Sequence, residues 1–119
     1  EGLQRVKNSF NSYPLDRIAE SAAVAALQDT LWFEDSCRRL IENRELLANG
    51  LQALGYKVLP PQANFVLARP PAGDAEQVFN ELRQKNILVR YFNAERTREY
   101  LRISVGTTEE CAALLSALA

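Results

Sequence analysis

The spacing of apolar residues changes at Gly55, and this change restricts the fold more than any other feature of the sequence. Before Gly55, apolar residues recur at helical spacing, which predicts one helix from Pro14 to about Ala26 and a second, longer helix capped by Asp29 or Thr30. After Gly55, short β-branched and aromatic runs separated by Pro and Gly predict strands. The chain is therefore expected to fold as an α+β domain.

The second half of the chain reads as strand, strand, helix, strand, strand, helix. The predicted strands are 56–59, 64–68, 87–92 and 101–105. Asp74 with Gln77, and Thr107 with Glu110, have the spacing of capping boxes and mark where the two helices begin, and Asn86 is expected to end the first. A right-handed crossover makes strands 64–68 and 87–92 parallel, and the short loop after 92 makes the last pair antiparallel, with 101–105 in the middle. We expect a two-layer sandwich, with helices on one face of a small mixed or antiparallel sheet.

Length and charge exclude several classes of protein. The 119 residues suit one domain, and a net charge of -1 lacks the basic surface of a dedicated nucleic-acid binder. No apolar run approaches the roughly 20 residues of a membrane-spanning helix, and the first residues lack a signal-peptide layout. We therefore expect a cytoplasmic protein that binds neither nucleic acid nor membrane.

Residues 1–13 show no clear apolar period and begin with Glu-Gly rather than Met. We interpret them as the remnant of an interdomain linker, followed by a domain that spans 14–119. The chain has no His to complete a metal site, so Cys37 and Cys111 are interpreted as buried thiols. Trp32, within a helical pattern, is predicted to lie in the core.

Arg102 is the first candidate for a functional side chain. On its predicted strand, Leu101 and Ile103 face one way, so Arg102 faces the other. An Arg among apolar neighbours is costly unless its guanidinium meets a carboxylate or phosphate, which it can hold with two parallel hydrogen bonds. Arg90 on the neighbouring strand could complete an anion clamp, but alternation alone does not prove that both face the same way. A surface or ion-paired Arg is the alternative.

Four segments resemble, in order and spacing, the C-terminal region of histidinol-phosphate aminotransferases, which belong to the fold-type I enzymes that use pyridoxal 5'-phosphate. They are 5–11 (RVKNSFN), 63–67 (ANFVL), 86–90 (NILVR) and 100–107 (YLRISVGT), of which the last is the most specific. The resemblance implies that Arg102 binds the anionic end of the substrate and that Arg90 assists it. In this family the anion is the phosphate of histidinol phosphate, which exchanges its amino group with 2-oxoglutarate in histidine biosynthesis.

The resemblance also implies what lies outside this chain. The lysine that binds pyridoxal phosphate as a Schiff base should precede Glu1, because Lys7, Lys57 and Lys85 lack the family's Ser-x-x-Lys context. We therefore expect no catalytic residue here, a missing large domain that holds the cofactor, and assembly as a homodimer.

Two residues of the segment that joins the domains in this family, Asn11 and Tyr13, are weaker candidates for the site or for a subunit interface. Tyr13 could equally pack as a hydrophobic staple before the first helix. The alternative function is a stand-alone, ferredoxin-like module that binds or senses a small molecule. Its sheet topology would match the second half of the chain, but such a module has no need of the two helices that precede the sheet.

Overall fold

A computed structural model describes residues 1–9 and 15–119 of the chain, which divide into two units, Glu1–Glu34 and Asp35–Ala119. The helices are α1 (Gly2–Asn8), α2 (Arg17–Gln28), α3 (Thr30–Ala53), α4 (Ala75–Gln84) and α5 (Thr108–Leu118). The strands are β1 (Lys57–Val58), β2 (Phe65–Arg69), β3 (Arg90–Tyr91) and β4 (Leu101–Ser104). The order of helices and strands confirms the predicted α+β class.

Two helices that begin in the first unit, α2 and α3, start at side-chain caps. Asp16 accepts hydrogen bonds from the backbone nitrogens of Ile18 and Ala19, both at 2.9 Å, so α2 begins after Asp16. The predicted start at Pro14 lies outside the described residues. Asp29 accepts from the backbone nitrogen of Trp32 at 3.1 Å, as expected of a cap for the long helix. The segment interpreted as a linker contains α1, which the sequence did not predict because fewer than two turns leave too few apolar positions to show a period.

Apolar side chains of the first unit are largely exposed to solvent. Trp32 is 69% exposed, so its predicted place in the core is wrong. Seven others in this unit are more than 60% exposed: Leu3, Val6, Leu15, Ile18, Leu27, Leu31 and Phe33. A helix with this pattern normally buries its apolar positions, so this unit presents apolar surface that its own described residues do not cover.

The second unit changes from helix to sheet at Gly55. Gly55 has φ +84°, and its nitrogen donates to the carbonyl of Gln52 at 2.9 Å, while Tyr56 donates to the carbonyl of Leu51 at 3.0 Å. This pair of bonds is the Schellman motif, which ends a helix and needs a residue that tolerates a left-handed backbone. The predicted break at Gly55 is confirmed.

The sheet has the order β1-β2-β4-β3, and every neighbouring pair is antiparallel. β4 therefore lies between β2 and β3, as predicted, and those two strands run in the same direction. One face of the sheet carries Val66 and Ala68 of β2 with Leu101 and Ile103 of β4, all at most 3% exposed. This face forms the core with six buried residues of the helices: Leu47 and Leu51 of α3, Ala75 and Leu82 of α4, and Cys111 and Leu114 of α5. Helices on one face of the sheet were predicted and are confirmed.

Two predictions about this unit need correction. Of the strand expected at 87–92, only Arg90–Tyr91 pairs with β4, because Asn86 has φ 59° and the nitrogen of Ile87 is bound to the carbonyl of Leu82 at 2.9 Å, completing the end of α4. Cys111 is buried as expected, but Cys37 is exposed. Among the described residues no helix is long and apolar enough to cross a membrane.

Candidate functional site

The two candidate arginines lie directly opposite each other in the sheet. Arg90 of β3 is the register partner of Arg102 of β4, and Tyr91 is the partner of Leu101. Directly paired residues of antiparallel strands point to the same face, so both guanidinium groups are on the face opposite the core. We call this the outer face; it also carries Phe65, Leu67 and Arg69 of β2. The structure thus brings together the two residues that the sequence could only nominate separately.

Tyr91 fixes which way β3 is turned. Its ring packs against Phe79 of α4, with ring centroids 6.1 Å apart, on the core side of the sheet. Partial burial, and to a smaller extent the carboxylate of Glu76, raises the pKa of Tyr91, so its hydroxyl stays neutral at physiological pH. Because successive residues of a strand alternate, Tyr91 on the core side places Arg90 on the outer face.

Arg102 is held between two aromatic rings. Its guanidinium carbon lies 5.2 Å from the ring centroid of Phe65 and 6.0 Å from that of Phe92, within the range of cation–π contact. Its Nε atom is buried and has no hydrogen-bond partner among the described residues. A buried donor without a partner is uncommon in folded proteins, and because Nε is inaccessible, only the terminal Nη groups of Arg102 are left to bind a ligand.

The charges of the outer face are not all balanced. Arg69 forms an ion pair with Glu99, Nη2 to Oε1 at 3.1 Å, and its register partner is Lys57. In the described part of the chain, no acidic side chain lies within salt-bridge distance of Arg102 or Arg90. Two neighbouring, uncompensated arginines favour an anionic ligand, and a phosphate or carboxylate matches the guanidinium donors.

The described residues do not test the other sequence candidates. Asn11 and Tyr13 lie outside the described residues, so their predicted place at the site stays a prediction. Lys85 donates from Nζ to the carbonyl of Ala117 at 2.7 Å, and Lys7 and Lys57 are exposed. Within residues 1–9 and 15–119 there is also no group of three His, Cys, Asp or Glu side chains that could hold a metal ion.

Sequence reasoning missed Phe65 and Phe92. Both could have been found, because Phe65 alternates with buried Val66 and Phe92 alternates with Tyr91, which puts both rings on the face of Arg102.

Sequence reasoning also missed a cleft of about 490 Å³ between residues 86–89 and α5, lined in part by Leu88, Ser104 and Cys111. Burial raises the pKa of the Cys111 thiol, which is therefore a poor nucleophile.

Comparison with known proteins identifies the family of this chain. The sequence profile of aminotransferase class I and II matches residues 1–118. The chain belongs to this aminotransferase family. The match includes the N-terminal helices, which the alternative of a stand-alone sensor module leaves unexplained.

The chain is most informatively compared with individual aminotransferases. The chain is 50% identical over 118 residues to histidinol-phosphate aminotransferase 1 of Pseudomonas aeruginosa and 49% identical to histidinol-phosphate aminotransferase of Acetobacter pasteurianus. Each comparison covers 99% of this chain but only 34% and 33% of those proteins, so the chain spans about a third of the length of its curated relatives.

Solved aminotransferases share the fold. Histidinol-phosphate aminotransferase of Clostridium acetobutylicum superposes with a TM-score of 0.86 at 25% identity, over 97% of this chain and 36% of that one. The enzyme of Sinorhizobium meliloti, solved in complex with pyridoxal-5'-phosphate, gives 0.85 at 24% identity, over 97% of this chain and 32% of that one. The predicted fold-type I small-domain architecture is confirmed.

Proposed function

We propose that this chain is the substrate-binding, C-terminal domain of a longer histidinol-phosphate aminotransferase, which transfers an amino group between histidinol phosphate and 2-oxoglutarate. The curated relatives that are about half identical to it carry that name, and the chain spans about a third of their length. We extend the proposal to a cytoplasmic homodimer that acts in histidine biosynthesis, as the resemblance implies.

The observation that carries the proposal is the pairing of Arg90 with Arg102 on the outer face. A phosphate group at neutral pH carries more than one negative charge and three strong acceptor oxygens, so two adjacent guanidinium groups suit it better than one. Arg102, half-buried and without a carboxylate partner among the described residues, is the primary ligand in this proposal. Arg90, more exposed, adds charge and a second set of donors.

The described residues of this chain do not fit a complete cofactor site. A pyridoxal-phosphate enzyme needs a lysine amine free to attack the cofactor aldehyde. The amine of Lys85 is held by a backbone carbonyl, and Lys7 and Lys57 are on the surface with no enclosing pocket described around them. We therefore assign pyridoxal 5'-phosphate and its lysine to the remainder of the longer protein, and this chain's own part is to bind and orient the substrate anion.

The test is the substrate preference of the longer protein that carries this chain. We expect amino transfer from histidinol phosphate. For histidinol, which lacks the phosphate, we expect a kcat/KM about tenfold to a hundredfold lower, because each charge-assisted hydrogen bond contributes about 1.5 to 3 kcal/mol. Inorganic phosphate should inhibit competitively. Equal efficiency with and without the phosphate, or no transfer from histidinol phosphate at all, contradicts the proposal.

A further inference from the structure

Arg102 occupies the centre of a diagonal that runs across three strands. Phe65 of β2 is the register partner of Ser104, two residues beyond Arg102 on β4. Phe92 follows Tyr91, the partner of Leu101, and so lies level with Tyr100, two residues before Arg102. Diagonal neighbours in a sheet are within reach of aromatic and long side chains. The two rings therefore approach Arg102 from opposite sides, Phe65 from β2 and Phe92 from the position directly after β3.

We infer that Phe65 and Phe92 are positioning residues for anion binding: they hold the Arg102 guanidinium in its binding orientation before the substrate arrives. The inference rests on the proposed function of Arg102 and goes beyond it by assigning the cause of the orientation. The contacts that carry it are the ring distances of 5.2 Å and 6.0 Å and the buried Nε.

Ring faces have an advantage over a carboxylate in this role. An ion pair, such as that of Arg69 with Glu99, also fixes a guanidinium, but it occupies the donors and neutralises the charge that an incoming anion needs. A ring attracts the cation through its quadrupole and leaves the charge unneutralised. Arg102 is thus ordered and still free to bind an anion.

Burial of Nε also limits the geometry of binding. With Nε inaccessible, the donors left to a ligand are the N–H groups of the two terminal Nη atoms. The Arg side chain is among those with the most conformational freedom. When its guanidinium is already ordered, less conformational entropy is lost as the anion binds. The expected consequence is tighter binding of the anion with no effect on the chemical step.

The experiment compares leucine substitutions in the longer enzyme. Phe65→Leu and Phe92→Leu remove a ring face while keeping apolar bulk, and each should raise the KM for histidinol phosphate and the inhibition constant of inorganic phosphate about three- to tenfold, with kcat within about twofold. Phe65→Tyr keeps the ring face and should restore both constants to near the wild-type values.

Leu114→Ala is the control for a loss of packing alone. Leu114 of α5 is 5% exposed and lies in the core, on the side of the sheet opposite Arg102. The variant should lower the melting temperature and leave both constants unchanged.

The outcomes separate the inference from the function on which it rests. If Arg102→Lys weakens phosphate inhibition but neither leucine variant does, the positioning role is wrong and the proposed function stands. If Arg102→Lys leaves phosphate inhibition unchanged as well, the proposed function itself fails. Should Phe65→Leu fail to fold, Phe92→Leu still decides, because Phe92 is 42% exposed and tolerates substitution better.

Discussion

Replacement of Arg102 by lysine is the sharpest test of the site. Lysine keeps the positive charge and most of the apolar stem, but it presents a single ammonium in place of the planar, two-pronged guanidinium. The loss of one charge-assisted hydrogen bond costs about 1.5 to 3 kcal/mol, which corresponds to roughly a tenfold to hundredfold loss of kcat/KM for histidinol phosphate. The measurement is steady-state kinetics on the longer enzyme, with thermal melts run alongside.

Folding should change little in this variant. Arg102 lies on the outer face, away from the core side of the sheet, and the described residues offer it no ion pair that the substitution would break. A stability change of at most about 1 kcal/mol is expected. Arg69→Lys is the matched control, because Arg69 lies on the same face but is already paired with Glu99. It should leave the kinetics near wild type.

The pairing of Arg90 with Arg102 adds a second condition. Arg90→Ala should weaken binding of the same substrate. If both side chains hold one anion, the double variant should lose less transition-state binding free energy than the sum of the losses in the two single variants. Normal kinetics in Arg102→Lys, together with altered stability, would refute the reasoning, since that pattern belongs to an arginine with only a structural role.

Further predictions follow from other parts of the chain. The isolated 119-residue chain, incubated with pyridoxal phosphate and borohydride, should not yield a stoichiometric adduct at one lysine, and mass spectrometry checks this. Its exposed apolar residues should cause self-association, so a purely monomeric sedimentation profile at high concentration contradicts the assignment of a partner surface. A thiol reagent should label Cys37 in the native state but Cys111 only after unfolding, because burial both shields that thiol and raises its pKa. Gly55→Ala should lower the free energy of unfolding by about 1 to 2 kcal/mol in denaturant titrations, because φ is +84° there, whereas Gly2→Ala, with nothing within 4 Å of an added Cβ, should have little effect.

Local chemistry made much of the fold predictable. Thr107 accepts from the backbone nitrogen of Glu110 at 3.3 Å while Glu110 accepts from the nitrogen of Thr107 at 2.8 Å, which completes the predicted capping box. The second predicted capping box, of Asp74 with Gln77, is only half formed. Asp74 accepts from the backbone nitrogen of Gln77 at 2.8 Å, but the Gln77 side chain donates to Glu81 and not back to the start of the helix. Caps and turns depend on residues near in sequence, so sequence reasoning identifies them well.

The exposure of Trp32 and Cys37 could not be predicted from the local sequence. Each lies at a helical apolar position, and the pattern correctly identifies a helix, but exposure depends on what lies against the helix. Periodicity reports which side of a helix is apolar and carries no information on the partner that covers it. The prediction that both residues are buried was wrong for this one reason.

The site was only half predictable for a related reason. Alternation along β4 predicts the face of Arg102, because buried Leu101 and Ile103 flank it. The face of Arg90 depends on the register of β3 against β4, and a shift of one residue would turn Arg90 to the core side. That register is fixed by the loop between the strands, where Thr97 bonds the carbonyl of Phe92 at 3.1 Å, and by the packing of Tyr91 against α4. The proposed anion site, made of residues from two strands, therefore depends on the pairing of the strands, which the sequence of neither strand contains alone.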